Sequence, residues 1–156
     1  MDAQTFSRIA QEELKFLVDD FGAICTSTSD ALSYKIGSVC LGTGIMQGEG
    51  ASACFRVEDK AFRYWYRNFD LLSIAMYMSY LNGLNQPPKA LAPFHRKTCD
   101  RQAMTEDEEL RSELRRIKED LLAFCVPVLE GDLTILELVA LDEQESGLPP
   151  IMWTIS

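Results

Sequence analysis

A histidine and a cysteine lie close enough along the chain to suggest a nucleophilic pair. His95 precedes Cys99 by four residues, and Asp100 could orient the imidazole. All three nevertheless share one proline-broken, Lys- and Arg-rich segment, whereas nucleophile and base usually come from separate parts of a fold. His95 is also the only histidine, which excludes a metal site built on several histidines. The sequence therefore predicts a protein that is not an enzyme and has no catalytic residue.

Four glycines resemble a phosphate-binding loop in composition but not in spacing. They are Gly42, Gly44, Gly48 and Gly50, and Gln47 stands where the third glycine of a G-x-G-x-x-G motif would be. The sequence that follows also does not predict a helix whose N-terminus could hold a phosphate. This spacing favours a hairpin loop or bulge, and no cofactor is predicted.

The cysteines do not form a recognisable ligand or disulfide pattern. The chain has five, which is an odd number, and no pair has C-x-x-C spacing. Most lie in apolar or strand-like runs, where a free cysteine behaves as a small hydrophobic residue. Neither a zinc site nor a disulfide framework is expected.

Five residues are the candidates for contact with a partner: Glu49, Trp65, Asp142, Glu143 and Glu145. Glu49 lies at a glycine-flanked loop tip. The three acidic residues near position 143 fall in an expected polar turn where no structural role is evident. Trp65 alternates with aromatic residues expected to face the core, so it points either to solvent and a partner or to an outward residue of a neighbouring strand.

Length and charge restrict the class of partner. The chain has 156 residues, 47% of them hydrophobic and 25% charged, as expected for a single globular domain spanning 1–156. Its formal net charge is −9, which repels nucleic acid and anionic membranes and attracts a basic protein. The first residues do not resemble a signal peptide, and no apolar run is long enough to span a bilayer, so a cytoplasmic protein is expected.

Periodicity predicts three helices and leaves a fourth open. An opening helix covers Ala3 to Asp19, with Gly22 beyond its end, and an apolar helix covers Phe69 to Asn82. The second of these is either buried centrally or forms a dimer seam. A long amphipathic helix follows from Thr105 to Gly131, capped by Thr105 and ended or kinked by Pro127. The ambiguous stretch from 132 to 141 favours helix over strand.

The intervening sequence has strand character. Strands are predicted at Ile24 to Ser29, Tyr34 to Leu41, Ala51 to Glu58 and Phe62 to Arg67, with short connections between them. Residues 85–104 read as an irregular connection, 143–150 as a polar turn, and 151–155 as a final strand or a docked tail. The predicted fold is α+β, with a four- to five-stranded, mostly antiparallel sheet packed by three to four helices.

Two segments resemble the small bacterial immunity proteins of polymorphic and contact-dependent toxin systems. One is the opening helix that leads into a glycine and a strand, Phe16 to Ile24. The other runs from Leu114 to Leu122 and continues through Leu129-Glu130-Gly131-Asp132. The resemblance implies a stoichiometric inhibitor that occludes a basic toxin domain, as a monomer or homodimer. It assigns a role to no individual residue. The alternative is a small ligand-binding or regulatory domain with a pocket between the sheet and the Phe69–Asn82 helix.

Overall fold

Five strands form one antiparallel sheet, in the order in which they follow one another along the chain. The computed structural model describes residues 3–28, 31–46, 50–65, 67–81 and 105–145. The strands are β1 (Ile24–Ser27), β2 (Ala31–Ile36), β3 (Val39–Met46), β4 (Gly50–Val57) and β5 (Asn68–Asp70). This meander confirms the α+β prediction, including the number of strands.

One row of large side chains crosses the sheet on its buried face. Tyr34 of β2, Leu41 of β3, Phe55 of β4 and Phe69 of β5 stand opposite one another in register, and each is at most 2% exposed. Because side chains alternate along a strand, the other face carries the intervening residues, many of them small or polar. The core therefore lies on one side of the sheet, where the helices pack.

Six helices are described, more than the three to four predicted. They are α1 (Ala3–Glu13), α2 (Lys15–Phe21), α3 (Leu71–Leu81), α4 (Glu106–Phe124), α5 (Val126–Leu129) and α6 (Thr134–Glu145). The predicted opening helix is divided at Leu14. The predicted long helix is divided at Cys125, because Pro127 has no N–H and its ring clashes with the carbonyl four residues earlier. None of the described helices combines the length and hydropathy needed to cross a bilayer.

Two helix termini follow the sequence signals. The Thr105 hydroxyl accepts a hydrogen bond from the Glu108 N–H at 3.2 Å, as the capping box predicts. Gly22 adopts φ +70°, and its N–H reaches the carbonyls of Leu17 and Val18. The ambiguous stretch from 132 to 141 is helical, as favoured, and the helix continues to Glu145. The polar turn expected to begin at residue 143 is therefore wrong over its first three residues.

Two of the predicted strands are wrong. The run from Tyr34 to Leu41 is the end of β2, a turn at Gly37 and Ser38, and the start of β3. The glycines expected to interrupt it, Gly42 and Gly44, lie inside β3, where neighbouring strands on both sides supply hydrogen bonds to the backbone.

The described residues of the predicted strand from Phe62 to Arg67 form a series of turns. The N–H groups of Phe62, Trp65 and Arg67 each bond to the carbonyl three residues earlier, at 3.0–3.2 Å. Phe62 and Tyr64 are still buried, as alternation predicted. Alternating aromatic residues therefore located the core-facing side chains correctly but assigned the wrong backbone conformation.

The apolar stripe of α4 packs on the sheet, and ion pairs tie the helix to α1. Leu110, Leu114, Ile117 and Leu121 are at most 4% exposed, which confirms the stripe. Arg111 bonds to Glu12 at 2.7 Å and to Glu13 at 3.2 Å, and Arg115 bonds to Glu13 at 3.2 Å.

The solvated face predicted for α4 is partly wrong. The spacing along this helix predicts two i,i+4 pairs on a solvated face, Arg116 with Asp120 and Arg115 with Glu119. Asp120 is instead 1% exposed. Arg115, expected to pair with Glu119, makes its ion pair with Glu13 of α1 instead. Cross-helix contacts therefore take precedence over the pairs that spacing along α4 suggested.

A carboxylate of α4 also holds the start of β4. Glu113 is 8% exposed and accepts a hydrogen bond from the Ala51 N–H at 2.8 Å. The neighbouring residue, Gly50, has φ +83°, and a Cβ at this position would overlap both carboxylate oxygens of Glu113. Only glycine suits this position, because it must adopt a left-handed conformation and leave space for the carboxylate.

Candidate functional site

Helix α6 is fixed in place by its first turn and by its buried side. Asp132 Oδ1 accepts hydrogen bonds from the Thr134 N–H at 3.0 Å and from the Thr134 hydroxyl at 2.6 Å. These donors lower the pKa of Asp132. Leu136, Val139 and Ala140 are at most 2% exposed, and the helix packs against α3 and α5. The opposite side of α6 is therefore presented to solvent in a defined orientation.

The exposed side of α6 combines carboxylates with leucines. Glu137, Leu138, Leu141 and Asp142 recur at helical spacing and are all exposed. We refer to these four residues as the α6 acidic face. Leu138 is 40% and Leu141 41% exposed, which is a large fraction for leucines side by side on one helix. Apolar side chains bordered by charges of one sign are a typical composition for a protein-binding surface.

The acidic face belongs to a longer segment without basic residues. No Lys, Arg or His occurs from residue 119 to residue 156. The acidic residues of this segment are Glu119, Asp120, Glu130, Asp132, Glu137, Asp142, Glu143 and Glu145. Eight acids and no bases give a formal charge of −8, against −9 for the whole chain. Nearly all of the net charge is thus concentrated in the last quarter of the sequence, a signal that identifies the acidic segment but not which of its residues are exposed.

A buried ion pair anchors the C-terminal end of α6. The Arg67 guanidinium donates to Glu143 Oε2, and the two residues are 5% and 7% exposed. Arg67 also lies over the rings of Phe69, at 4.8 Å, and Tyr64, at 5.8 Å. Burial raises the pKa of Glu143, although Arg67 acts in the opposite direction. Glu143 thus has a structural role within a helix, and its placement in an exposed turn was wrong.

The other predicted contact residues differ in whether the structure describes them. Trp65 is 42% exposed, and the Lys60 ammonium lies 5.8 Å from its ring centroid. It lies two residues before Arg67, so the pair with Glu143 holds the Trp65 turn close to α6. Asp142 is exposed on the acidic face, whereas Glu145 ends α6 and its side chain lies outside the described residues. Glu49 also lies outside them.

The chemistry of the thiols does not indicate a nucleophile among the described residues. Cys25, Cys40, Cys54 and Cys125 are free thiols. Burial raises the pKa of Cys54 to about 12 and raises that of Cys125 as well, so both remain protonated near neutral pH. His95, Cys99 and Asp100 lie outside the described part of the chain. Within that part, no three His, Cys, Asp or Glu side chains converge on a point where a metal could bind.

Three side chains are buried where a small-molecule pocket was considered. At the junction of the sheet and α3, Phe55, Phe69 and Ile74 are at most 2% exposed. A cavity of about 640 Å³ lies elsewhere, between α1 and the end of β1.

Comparison of this chain with known protein families, characterised proteins and solved structures gave no match.

Proposed function

We propose that this chain is a non-catalytic cytoplasmic protein that neutralises a basic toxin domain by binding to it and covering its active surface. The observation that carries the proposal is the α6 acidic face, where two exposed leucines lie between carboxylates in a segment of formal charge −8. The resemblance to immunity proteins supports the same function from independent residues in α2 and α4.

The two components of the face would act at different stages of binding. Carboxylates attract a basic partner over distances of up to about 10 Å at an ionic strength of about 0.1 M, which accelerates encounter. Leucines contribute once they are desolvated in an apolar cleft, because transfer from water contributes about 25 cal/mol per Å² of buried apolar surface. The complementary surface on the toxin would therefore be an apolar cleft bordered by Lys and Arg.

Binding to the toxin encoded by the adjacent reading frame tests the function. The expected result is a 1:1 complex in size-exclusion chromatography, with toxin activity lost at equimolar inhibitor. If the purified proteins elute separately and the toxin remains active, the proposed function is wrong.

Paired variants test the contact surface separately. We expect Leu138→Ala with Leu141→Ala to weaken the complex by about 10-fold or more, which is about 1.4 kcal/mol. The matched control is Val18→Ala in α2, since Val18 is 42% exposed, much as the two leucines are. Equal effects of the two changes in isothermal titration calorimetry would show that the toxin binds elsewhere on the protein.

A further inference from the structure

Strand β1 forms an edge of the described sheet and lacks the usual protection of an edge strand. Its four residues, Ile24–Ser27, include no charged residue and no proline. Ile24 is 70% exposed, and Thr26 and Ser27 are also exposed. Natural edge strands are commonly blocked by lysine, proline, a bulge or a covering element. In the described part of the chain β1 has none of these.

The hydrogen-bond phase of the β1–β2 ladder shows which groups of the edge are free to pair. The Thr28 N–H bonds to the Ala31 carbonyl at 2.9 Å, and Ile24 stands opposite Lys35 in the same register. Because inward and outward groups alternate along an antiparallel strand, Ile24 and Thr26 bond to β2. Cys25 and Ser27 therefore direct their N–H and C=O groups away from the sheet.

We propose that β1 pairs antiparallel with β1 of a second copy of this chain, about a twofold axis at Thr26. In this register Cys25 of each copy stands opposite Ser27 of the other. Each of these two pairs exchanges two N–H···O=C bonds, which gives four hydrogen bonds in total. Thr26 faces Thr26 of the second copy, and the exposed Ile24 side chain faces Thr28. An isologous contact of this kind closes as a dimer and continues the sheet across the axis.

The charge of the adjacent groove explains why a second copy fits here. The cavity of about 640 Å³ lies between α1 and the end of β1, and its charged lining residues are Arg8, Glu12 and Lys15. Glu12 is held by Arg111 at 2.7 Å and by Arg8 at 3.6 Å. Two of these three lining residues are basic and one is acidic, whereas the chain as a whole has a net charge of −9. Two copies can approach on this side with less repulsion than at α6, and opposite charges can pair across the axis.

The proposal is independent of the proposed toxin binding, because it uses neither α6 nor its partner. Its first test is sedimentation equilibrium of the wild-type protein. Since the contact is small, we expect a dimer with Kd between roughly 1 µM and 1 mM, tighter at high salt as the net charges are screened. A protein that remains monomeric at about 1 mM would overturn the proposal.

A proline substitution tests the outward N–H of Ser27. Ser27→Pro removes this donor but leaves the β2 ladder intact, because proline is tolerated where an edge N–H faces solvent. We expect the dimer Kd to rise at least about 10-fold, with Ser27→Ala as the control that keeps the N–H. An unchanged Kd for the proline variant would contradict strand pairing. If the protein is monomeric and Ser27→Pro weakens its binding to the toxin, the exposed edge of β1 binds the toxin and not a second copy of the chain.

A cysteine crosslink decides the register even if the proline variant does not fold. In a non-hydrogen-bonded antiparallel pair the Cα atoms are about 4.5 Å apart, within the range that a disulfide spans. Thr26→Cys should therefore give a covalent dimer on mild oxidation, linked through residue 26 in peptide mapping. Wild type, which retains its own cysteines, is the control for other crosslinks. A crosslink yield no greater than that of wild type would exclude this register.

Discussion

Two residues far apart in sequence form the most buried charge pair described in the structure. Arg67 and Glu143 are separated by 76 positions, and each is at least nine-tenths buried. No local pattern could have predicted the contact, because Arg67 lies in a turn and Glu143 was expected in a surface loop. Burying two charges is costly, so the pair contributes mainly by fixing where the end of α6 docks.

Substitution of one residue of the pair should destabilise the protein, because the remaining charge stays buried. We expect Glu143→Ala to lower the free energy of unfolding by about 3–5 kcal/mol, because Arg67 would remain buried without its carboxylate. Replacing both residues, as Arg67→Met with Glu143→Leu, should restore stability to within about 1–2 kcal/mol of wild type. Urea unfolding of the three proteins measures both values. A double variant as unstable as the single one would show that the charges themselves are needed.

Gly50 offers a second prediction at the scale of one residue. Gly50→Ala should lower the free energy of unfolding by at least about 1 kcal/mol, since φ +83° is unfavourable for alanine and its Cβ would overlap the Glu113 carboxylate. Gly42→Ala is a matched control, because a Cβ at that position meets only the Cys54 carbonyl, at 3.9 Å. Thermal unfolding of both variants distinguishes strain at one position from a general cost of removing glycine from the sheet.

Two helix caps were predicted correctly from the sequence. The Thr105 cap and the Gly22 stop depend on side chains and dihedral angles within one turn, so local chemistry determines them. The strand assignment of Phe62 to Arg67 failed for the opposite reason. Alternating aromatic residues fit either a strand or a series of turns, and burial of Phe62 and Tyr64 is satisfied by both.

The start of α6 should respond to pH. The pKa of Asp132 is lowered because Thr134 donates two hydrogen bonds to its carboxylate. Because the pKa of Asp132 is lower in the folded than in the unfolded protein, these hydrogen bonds stabilise the fold fully at pH values above the unfolded pKa, about 3.9. This stabilisation is lost as the pH falls through the folded pKa. Asn caps helices as well as Asp but does not titrate. Asp132→Asn should therefore lose less stability than wild type between pH 6 and pH 2 in urea unfolding. Equal losses would contradict the assignment.

At the scale of the whole molecule, charge is distributed unevenly. The last 38 residues carry a formal charge of −8, and all 15 basic residues precede them. The total charge of −9 suggested a basic partner as a hypothesis, but it did not locate a surface for one. Locating it needs the fold, because two of the eight acids, Asp120 and Glu143, turn out to be buried.

This distribution makes partner association sensitive to salt. We expect the association rate constant with a basic toxin domain to fall by at least about 10-fold when ionic strength rises from about 0.05 M to 0.5 M. The dissociation rate should change much less, because it depends on the desolvated leucines. Stopped-flow measurements on wild type and on Glu137→Gln with Asp142→Asn provide the test. A salt dependence unchanged by the two substitutions would place the encounter elsewhere on the protein.

The bond from Ala51 to Glu113 has a consequence for synthesis of the protein. The two residues are 62 positions apart, so the β3–β4 hairpin leaves the ribosome well before the carboxylate that holds it is translated. During that interval the nascent hairpin has no partner for the Ala51 N–H and no helix α4 to cover its apolar side. Chaperones that recognise exposed β-structure would thus meet this chain most often after the β3–β4 hairpin has left the ribosome and before α4 has done so.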